Sequence, residues 1–166
     1  MRTPSIDLET RAESSDHAAL RLWLRLLTCT NLVEHSIRAR LRADFGSTLP
    51  RFDLLAQLER VPDGLRMSEL SQRMMVTGGN ITALTEQLQS EGLIERTSDP
   101  VDRRVTRVSL TQIGRRRFSE MASAHQHWVG ELTESLGPDD ARQLFELLGK
   151  LKLSVQSAQT DEAKTQ

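Results

Sequence analysis

The sequence predicts a mainly helical protein with about six helices and one β-hairpin. Apolar residues recur every three or four positions over several long segments, a spacing typical of amphipathic helices. Two strand-like runs, residues 93–97 and 105–110, flank a polar loop that contains Pro100. Two short helical patterns joined by a turn lie just before these runs. A hairpin that follows two such helices predicts a winged helix-turn-helix, in which the hairpin is the wing.

The N-terminal third is predicted to form one long and one short helix. The long helix runs from about Ala18 to Ala43, and its apolar residues cover more than one face. Because a helix that is apolar on two sides is buried on two sides, we expect it to contact a second surface, such as another subunit. Gly46 and Pro50 separate it from a helix at residues 51–60, and residues 65–67 have the pattern of a short strand.

Capping signals predict the limits of the helix-turn-helix. Ser68 is a natural N-cap for a helix that ends near Met75. Thr77 is expected to cap the next helix, which continues to about Glu91, and Gly92 is placed to end it.

Two more helices are predicted after the hairpin. Thr111 is expected to cap the first, which runs to about Leu136. Pro138 lies at the start of the last helix, whose apolar stripe ends near Val155. Residues 1–16 and 158–166 are polar and are expected to be mobile tails.

The net charge of −1 conceals two basic regions. Residues 95–117 contain seven arginines against three acids, and residues 21–42 contain five arginines against one acid. Local clusters of this kind are the electrostatic signature of a nucleic-acid-binding surface.

Several classes of protein are disfavoured by the composition. A lone cysteine, Cys29, rules out an intrachain disulfide framework and is interpreted as structural. The chain contains no apolar run near the roughly 20 residues of a membrane span, and its N-terminus lacks a signal-peptide pattern, so a cytoplasmic protein is expected. His125 and His127 diverge on their helix, and no nucleophile elbow or phosphate loop is present. We therefore expect no metal, no cofactor and no enzymatic activity.

The second helix of the helix-turn-helix has small and polar residues at its start, as a helix that enters the major groove needs. Gly78 and Gly79 reduce steric bulk, so that backbone N–H groups could approach a phosphate or a base edge. Asn80 has the side chain that pairs with adenine, and Thr82 could bond a base or touch a thymine methyl. Gln87, two turns further on, could reach an adenine or the backbone. Ser68 and Thr77 complete the candidates on the two helices.

The loop of the predicted wing concentrates guanidinium groups. Arg103 and Arg104 lie where a wing tip would meet the minor groove, whose negative potential favours an inserted arginine. Asp102 is expected to orient Arg104 through a bidentate salt bridge. Arg96 and Arg107, on the strands, are predicted to contact phosphates. The alternative is a solvated loop with an incidental cluster of charges.

Several motifs in this order resemble the MarR family of bacterial transcription regulators. The matching segments lie between residues 49 and 114: Leu49-Pro50-Arg51-Phe52, Ser68-Glu69-Leu70-Ser71, Glu91-Gly92-Leu93-Ile94-Glu95-Arg96, Asp99-Pro100-Val101-Asp102-Arg103-Arg104, Leu110-Thr111 and Gly114. The resemblance implies a homodimer on double-stranded DNA, joined through its terminal helices and released by a small ligand. It implies a DNA-binding domain at 49–111 and a dimerisation region at 17–48 and 112–157.

The run from Val76 to Thr82 is similar to a branch that regulates aromatic-acid catabolism, including repressors that sense hydroxycinnamoyl-CoA thioesters. The resemblance also implies an effector site between the first, second and post-wing helices. The residues that this region would offer are His35, Arg38, Arg42, Phe52, Met75, Met121, His125 and Trp128. Two arginines on one helix face suit a phosphate-bearing ligand. Ordinary core packing, a different phenolic or drug ligand, or no ligand remain open, as does a protein-interaction module.

Overall fold

The computed structural model describes residues 17–99, 102 and 105–165, with side chains as far as residue 160. Within these residues the chain forms six helices and three short strands, which confirms the mainly helical fold. The elements are α1 (Ala18–Phe45), α2 (Leu49–Glu59), β1 (Leu65–Arg66), α3 (Met67–Met74), α4 (Gly78–Ser90), β2 (Ile94–Ser98), β3 (Thr106–Leu110), α5 (Gln112–Thr133) and α6 (Pro138–Thr165).

The chain divides into two compact units, residues 1–125 and 126–166. The core of the first unit is built from leucines and isoleucines of the central elements, together with one methionine. These fully buried side chains are Leu41, Leu54, Leu55, Leu58, Leu70, Ile81, Leu88, Ile94 and Met121, and Val108 on β3 joins them. Each lies on the inward face of its helix or strand, as the apolar periodicity predicts.

The strands form an antiparallel sheet in the order β1-β3-β2. β3 pairs with β2 over five residues, from Ile94 opposite Leu110 to Ser98 opposite Thr106. The pair is the predicted wing, with strand limits shifted by one residue. β1 adds Leu65 opposite Val108, which joins the wing to the chain just before α3.

The start of α5 is held tightly against the segment before β2. The Thr111 hydroxyl donates to the Gly92 carbonyl at 2.7 Å and accepts the Gly114 N–H at 3.0 Å, which confirms Thr111 as a cap. A β-carbon on Gly114 would lie 1.9 Å from the Leu93 carbonyl oxygen. Only glycine therefore permits this approach of helix and backbone.

Two predicted limits are wrong. Ser68 does not cap α3, because Arg66 is the N-cap and its backbone N–H donates to the Glu69 carboxylate at 2.7 Å. This bond turns the chain into a helix two residues earlier, so Ser68 lies within the first turn. The last helix continues to Thr165 instead of ending near residue 157. The predicted tail at 1–16 lies outside the described residues.

Both terminal helices leave large apolar side chains exposed. On α1 these are Leu20, Leu22, Trp23, Leu27, Leu32 and Val33, and on α6 they are Leu144, Phe145, Leu147, Leu148, Leu153 and Val155. The Cys29 thiol on α1 is exposed as well. Across the described ranges, none of the helices has the length and apolar character needed to cross a membrane.

Candidate nucleic-acid interface

The helix-turn-helix consists of α3, a turn at residues 75–77 and α4. Ser71 closes the turn, because its hydroxyl donates to the Val76 carbonyl at 2.6 Å. Its carbonyl accepts the Val76 N–H at 3.2 Å. Met75 between them has φ 54 and ψ 38, in the left-handed region. These contacts set the direction in which α4 leaves the turn.

The two faces of α4 differ in burial and in chemistry. Ile81, Thr85 and Leu88 are buried against the rest of the first unit. The predicted reading residues all lie on exposed positions: Gly78, Gly79, Asn80, Thr82 and Gln87. The Thr82 hydroxyl donates to the Gly78 carbonyl at 3.0 Å, which leaves its methyl group and its acceptor lone pairs for other contacts.

The N-terminus of α4 is open. Thr77 occupies the N-cap position with extended backbone, φ −68 and ψ 152, but its side chain makes no capping bond. A β-carbon on Gly78 or Gly79 would meet no atom within 4 Å. The glycines therefore serve no packing purpose among the described residues. The first N–H groups of a helix have no intrahelical acceptor, so this end is a potential anion-binding surface.

The base of the wing is organised by Asp99, which is 1% exposed. Its carboxylate accepts a hydrogen bond from Arg107 Nε at 2.7 Å and from the Asp102 N–H at 3.1 Å, and Arg66 Nη2 lies at 3.4 Å. The Asp99 N–H donates to the Val105 carbonyl at 2.8 Å. One buried carboxylate thus joins all three strands and both ends of the wing loop.

The two strand arginines predicted to contact phosphates make internal bonds. Arg107 donates to Asp99 and, through Nη1, to the Gly64 carbonyl at 3.0 Å. Arg96 Nη2 lies 2.5 Å from the Thr85 hydroxyl on α4, and its Nε is buried without a hydrogen-bond partner in the described part of the chain. Arg107 therefore holds the wing base together, and Arg96 links the wing to α4. Phosphate contact by either residue stays a prediction.

The two arginines predicted to enter the minor groove, Arg103 and Arg104, lie outside the described residues. The predicted salt bridge between Asp102 and Arg104 lies outside them too. The structure describes how the loop is attached to the wing. Asp102 is half-buried, and its carbonyl accepts the Val105 N–H at 2.9 Å.

Three predicted effector residues line one cavity. His35, Arg38 and Arg42 on α1 border a cavity of about 550 Å³, which is completed by the corner at Ser47 and Thr48 and the start of α2. The Arg38 guanidinium also forms a salt bridge with Glu34 at 2.8 Å. The cavity therefore has a cationic wall on α1, formed by Arg38 and Arg42, beside alanine and leucine side chains.

The other predicted effector residues lie elsewhere. The Phe52 ring stacks on His125, with centroids 4.8 Å apart, and tilts against Phe118 at 5.6 Å. Met121 is buried core, and Trp128 is a buried residue of the second unit. Met75 lies on the turn before α4, is 94% exposed and does not line the cavity on α1, so its place in an effector site stays a prediction.

Asp53, which was not among the predicted residues, has a perturbed titration. Loss of hydration raises its pKa above the ordinary value of 3.8, and the charge of Glu34 adds to the rise. His125 and Arg38 act in the opposite direction. The pKa of Asp53 thus depends on charges of α1, from Glu34 and Arg38, and on His125 in the aromatic stack. Among all the residues that the structure describes, histidine, cysteine and acidic side chains form no group of three or more that could hold a metal ion.

The comparisons with known proteins agree with this geometry. The family model described as the MarR family matches residues 45–105. The transcriptional repressor MdtR of Bacillus subtilis is 31% identical over 117 residues, which cover 70% of this chain and 73% of the repressor. The chain belongs to the MarR family. It is a winged helix-turn-helix transcriptional regulator of the MarR type and not an enzyme.

Solved structures of the MarR family share the fold. A MarR family regulator from Silicibacter pomeroyi is 30% identical, with a TM-score of 0.74, and the match covers 86% of this chain and 99% of that one. Sco3205 from Streptomyces coelicolor, solved in complex with DNA, is 23% identical, with a TM-score of 0.75. That match covers 86% of this chain and 90% of Sco3205.

Asp99 belongs to one of the motifs noted in the sequence, but the sequence predicted no role for it. Its function depends on Arg66, 33 residues earlier, and on Arg107, eight residues later. The available signal was an aspartate two residues after a predicted strand, in a segment rich in arginine. Arginine and carboxylate groups form strong charge-assisted hydrogen bonds, so an aspartate in such a segment is a candidate partner for them.

Proposed function

We propose that this MarR family regulator binds a pseudo-palindromic operator in double-stranded DNA as a homodimer and represses transcription. The observation that carries the proposal is the exposed surface of α4, where Asn80 and Thr82 lie beside an open helix N-terminus and Gln87 lies about two turns further along the helix. Amides and small hydroxyls on the first turns of a recognition helix are the groups that read base edges in the major groove. The relatives support it, since Sco3205 was solved with DNA and MdtR is a repressor.

In this proposal the wing reads the neighbouring minor groove. Arg103 and Arg104 supply the guanidinium groups that a narrow, negative groove attracts. The bonds of Asp99 hold both ends of the loop that carries them. The wing then adds affinity, and α4 adds most of the base specificity.

Dimerisation is supported by the apolar side chains that a single chain leaves in water. Trp23 is 57% exposed and Leu32 is 67% exposed on α1, and Phe145 is 80% exposed on α6. Large apolar groups along terminal helices are typical of a surface covered by a second subunit. Two-fold symmetry would present two copies of α4 to half-sites about one helical turn apart.

The effector in this proposal is an aromatic carboxylic acid or its CoA thioester, and its binding releases the operator. Support comes from the cavity bordered by Arg38 and Arg42, because two guanidinium groups on one wall suit a phosphate-bearing ligand. A phenolic ligand without phosphates would make less use of these arginines. The proposed site of action is the cytoplasm, where the operator is.

Selection of bound sequences from a random duplex library tests the operator directly. The wild-type protein is expected to enrich two inverted half-sites with a centre-to-centre spacing of about 10 base pairs. Enrichment of a single unpaired half-site would contradict the dimer, and no enrichment at all would contradict specific DNA binding.

Calorimetry tests the effector. We expect Arg38→Ala and Arg42→Ala each to weaken binding of an aromatic acyl-CoA at least tenfold, with a smaller loss for the free acid. Arg142→Ala is the matched control, since Arg142 lies in the second unit and pairs with Asp139 at the surface. Unchanged acyl-CoA affinity in both α1 variants would exclude this ligand class from the cavity.

A further inference from the structure

The turn before α4 contains an unusual methionine. Four described residues have positive φ, and three of them are glycines, Gly46, Gly64 and Gly92. The fourth is Met75, with φ 54. An L-residue with a β-carbon is destabilised in this region by about 1–2 kcal/mol relative to glycine. The chain thus uses glycine at its other left-handed positions and a large side chain at this one.

Packing does not account for this choice. The Met75 side chain is 94% exposed, so burial offsets none of the backbone strain. The turn is held by bonds that do not involve the Met75 side chain. The Met75 N–H donates to the Gln72 carbonyl at 3.2 Å, the Ser71 hydroxyl donates to the Val76 carbonyl, and the Ser71 carbonyl accepts the Val76 N–H. Glycine at position 75 would keep every one of these bonds.

The position of Met75 relative to α4 suggests what the side chain does. Met75 borders an open groove of about 610 Å³ between α3 and α4, whose other walls include Ser68, Gly78 and Thr82. The side chain therefore stands beside the end of α4 that is proposed to enter the major groove. Four apolar side chains border the groove, and Met75 is the exposed one, since Met67 and Val76 are half-buried and Ile81 is buried.

We propose that Met75 is a specificity-determining residue, which packs its thioether against the C5-methyl group of a thymine in the major groove. The methyl group is the apolar feature of a major-groove base edge, and only thymine carries it. An unbranched, polarizable side chain adapts to such a contact without exact fit. The inference rests on the proposed DNA binding and adds one residue and one base group to it.

The experiment uses the operator selected with the wild-type protein, and replaces each thymine in turn with deoxyuridine, which lacks only the methyl group. Wild type is expected to lose about fourfold in affinity at one position of each half-site, the equivalent of one buried methyl group. Met75→Gly is expected to bind the unmodified operator several-fold more weakly and to show no deoxyuridine effect at that position. Met75→Leu is expected to restore the effect.

A stability measurement separates this role from a structural one. The melting temperature of Met75→Gly is expected to equal or exceed that of wild type, because glycine relieves the left-handed strain. A lower melting temperature together with unchanged operator affinity would overturn the proposal. So would a wild-type protein that binds every deoxyuridine duplex as tightly as the thymine duplex. If wild type selects no operator, the proposed function fails first, which is a distinct outcome.

Discussion

The base of the wing and the tip of α4 belong to the same unit and are built in opposite ways. At the wing base, Asp99 is buried and directs the bonding groups of Arg66, Arg107 and the loop backbone inward. At the tip of α4, Asn80 and the two glycines are exposed, and no side chain caps the helix. The wing base is therefore a structural anchor for the loop, and the tip of α4 is a surface available for contact with another molecule.

This difference separates two kinds of variant. Substitutions at the wing base should alter folding first and DNA binding as a consequence. Substitutions at the tip of α4 should leave folding unchanged and alter DNA binding alone. Measuring the free energy of unfolding and the DNA affinity of the same variant therefore tests the distinction.

Asp99→Ala should have the largest effect. Removing the carboxylate leaves Arg107 partly buried without its charge partner, and the loss of one partner of a buried pair costs about 3–5 kcal/mol. Chemical denaturation measures this loss. Asp139→Ala breaks an exposed pair of similar length, Arg142–Asp139 at 2.6 Å, and should cost less than about 1 kcal/mol. Equal losses in the two variants would mean that Asp99 is not a structural anchor.

Asn80→Ala should leave the free energy of unfolding unchanged and weaken operator binding by about 1–3 kcal/mol, with relaxed preference at one base pair. Fluorescence anisotropy on operators substituted one base pair at a time measures both effects. Gln89→Ala is the control, because that exposed amide lies half a turn around α4 from Asn80 and in the last turn of the helix, away from its N-terminal tip. Preference that stays unchanged at all positions would show that Asn80 does not face the bases.

Asp53→Asn should have a small effect that depends on pH. The pKa of Asp53 is raised in the folded state, so its ionised form opposes folding, and this cost grows as pH rises through the folded pKa. The amide should therefore make the protein more stable at neutral pH. The difference should close as the pH falls below the ordinary value of 3.8, where both side chains are neutral.

Denaturation midpoints at several pH values measure this difference. Asp63→Asn, in an exposed turn, serves as the control. If Asp53→Asn were less stable than wild type at neutral pH, the carboxylate would be a stabilising partner of His125 and Arg38 instead.

Local signals in the sequence were sufficient for the helices and the wing. Apolar periodicity indicated all six helices, and Thr111 and Gly92 marked the junctions around the wing, because capping depends on neighbours within a few residues. The same signals failed at Ser68, where a carboxylate bond to the Arg66 backbone starts α3 earlier than the best capping residue.

The contacts that shape the site could not be predicted from local pattern. The bonds of Asp99 and the bond between Arg96 and Thr85 join residues that are distant in sequence. Arg96 and Arg107 were therefore assigned to DNA, whereas their described partners lie within the protein. The left-handed turn at Met75 was not predicted for a different reason, since nothing about methionine indicates such a turn. The assignment of Met75 to the effector site followed from the family resemblance.

The most direct test of the account is the salt dependence of binding to the selected operator. A dimer that neutralises several phosphates with two wings and two helix termini should lose at least about 10³-fold in affinity between 50 and 200 mM salt. Affinity that hardly changes over this range would contradict an interface with the DNA backbone, and would instead favour a protein-interaction module.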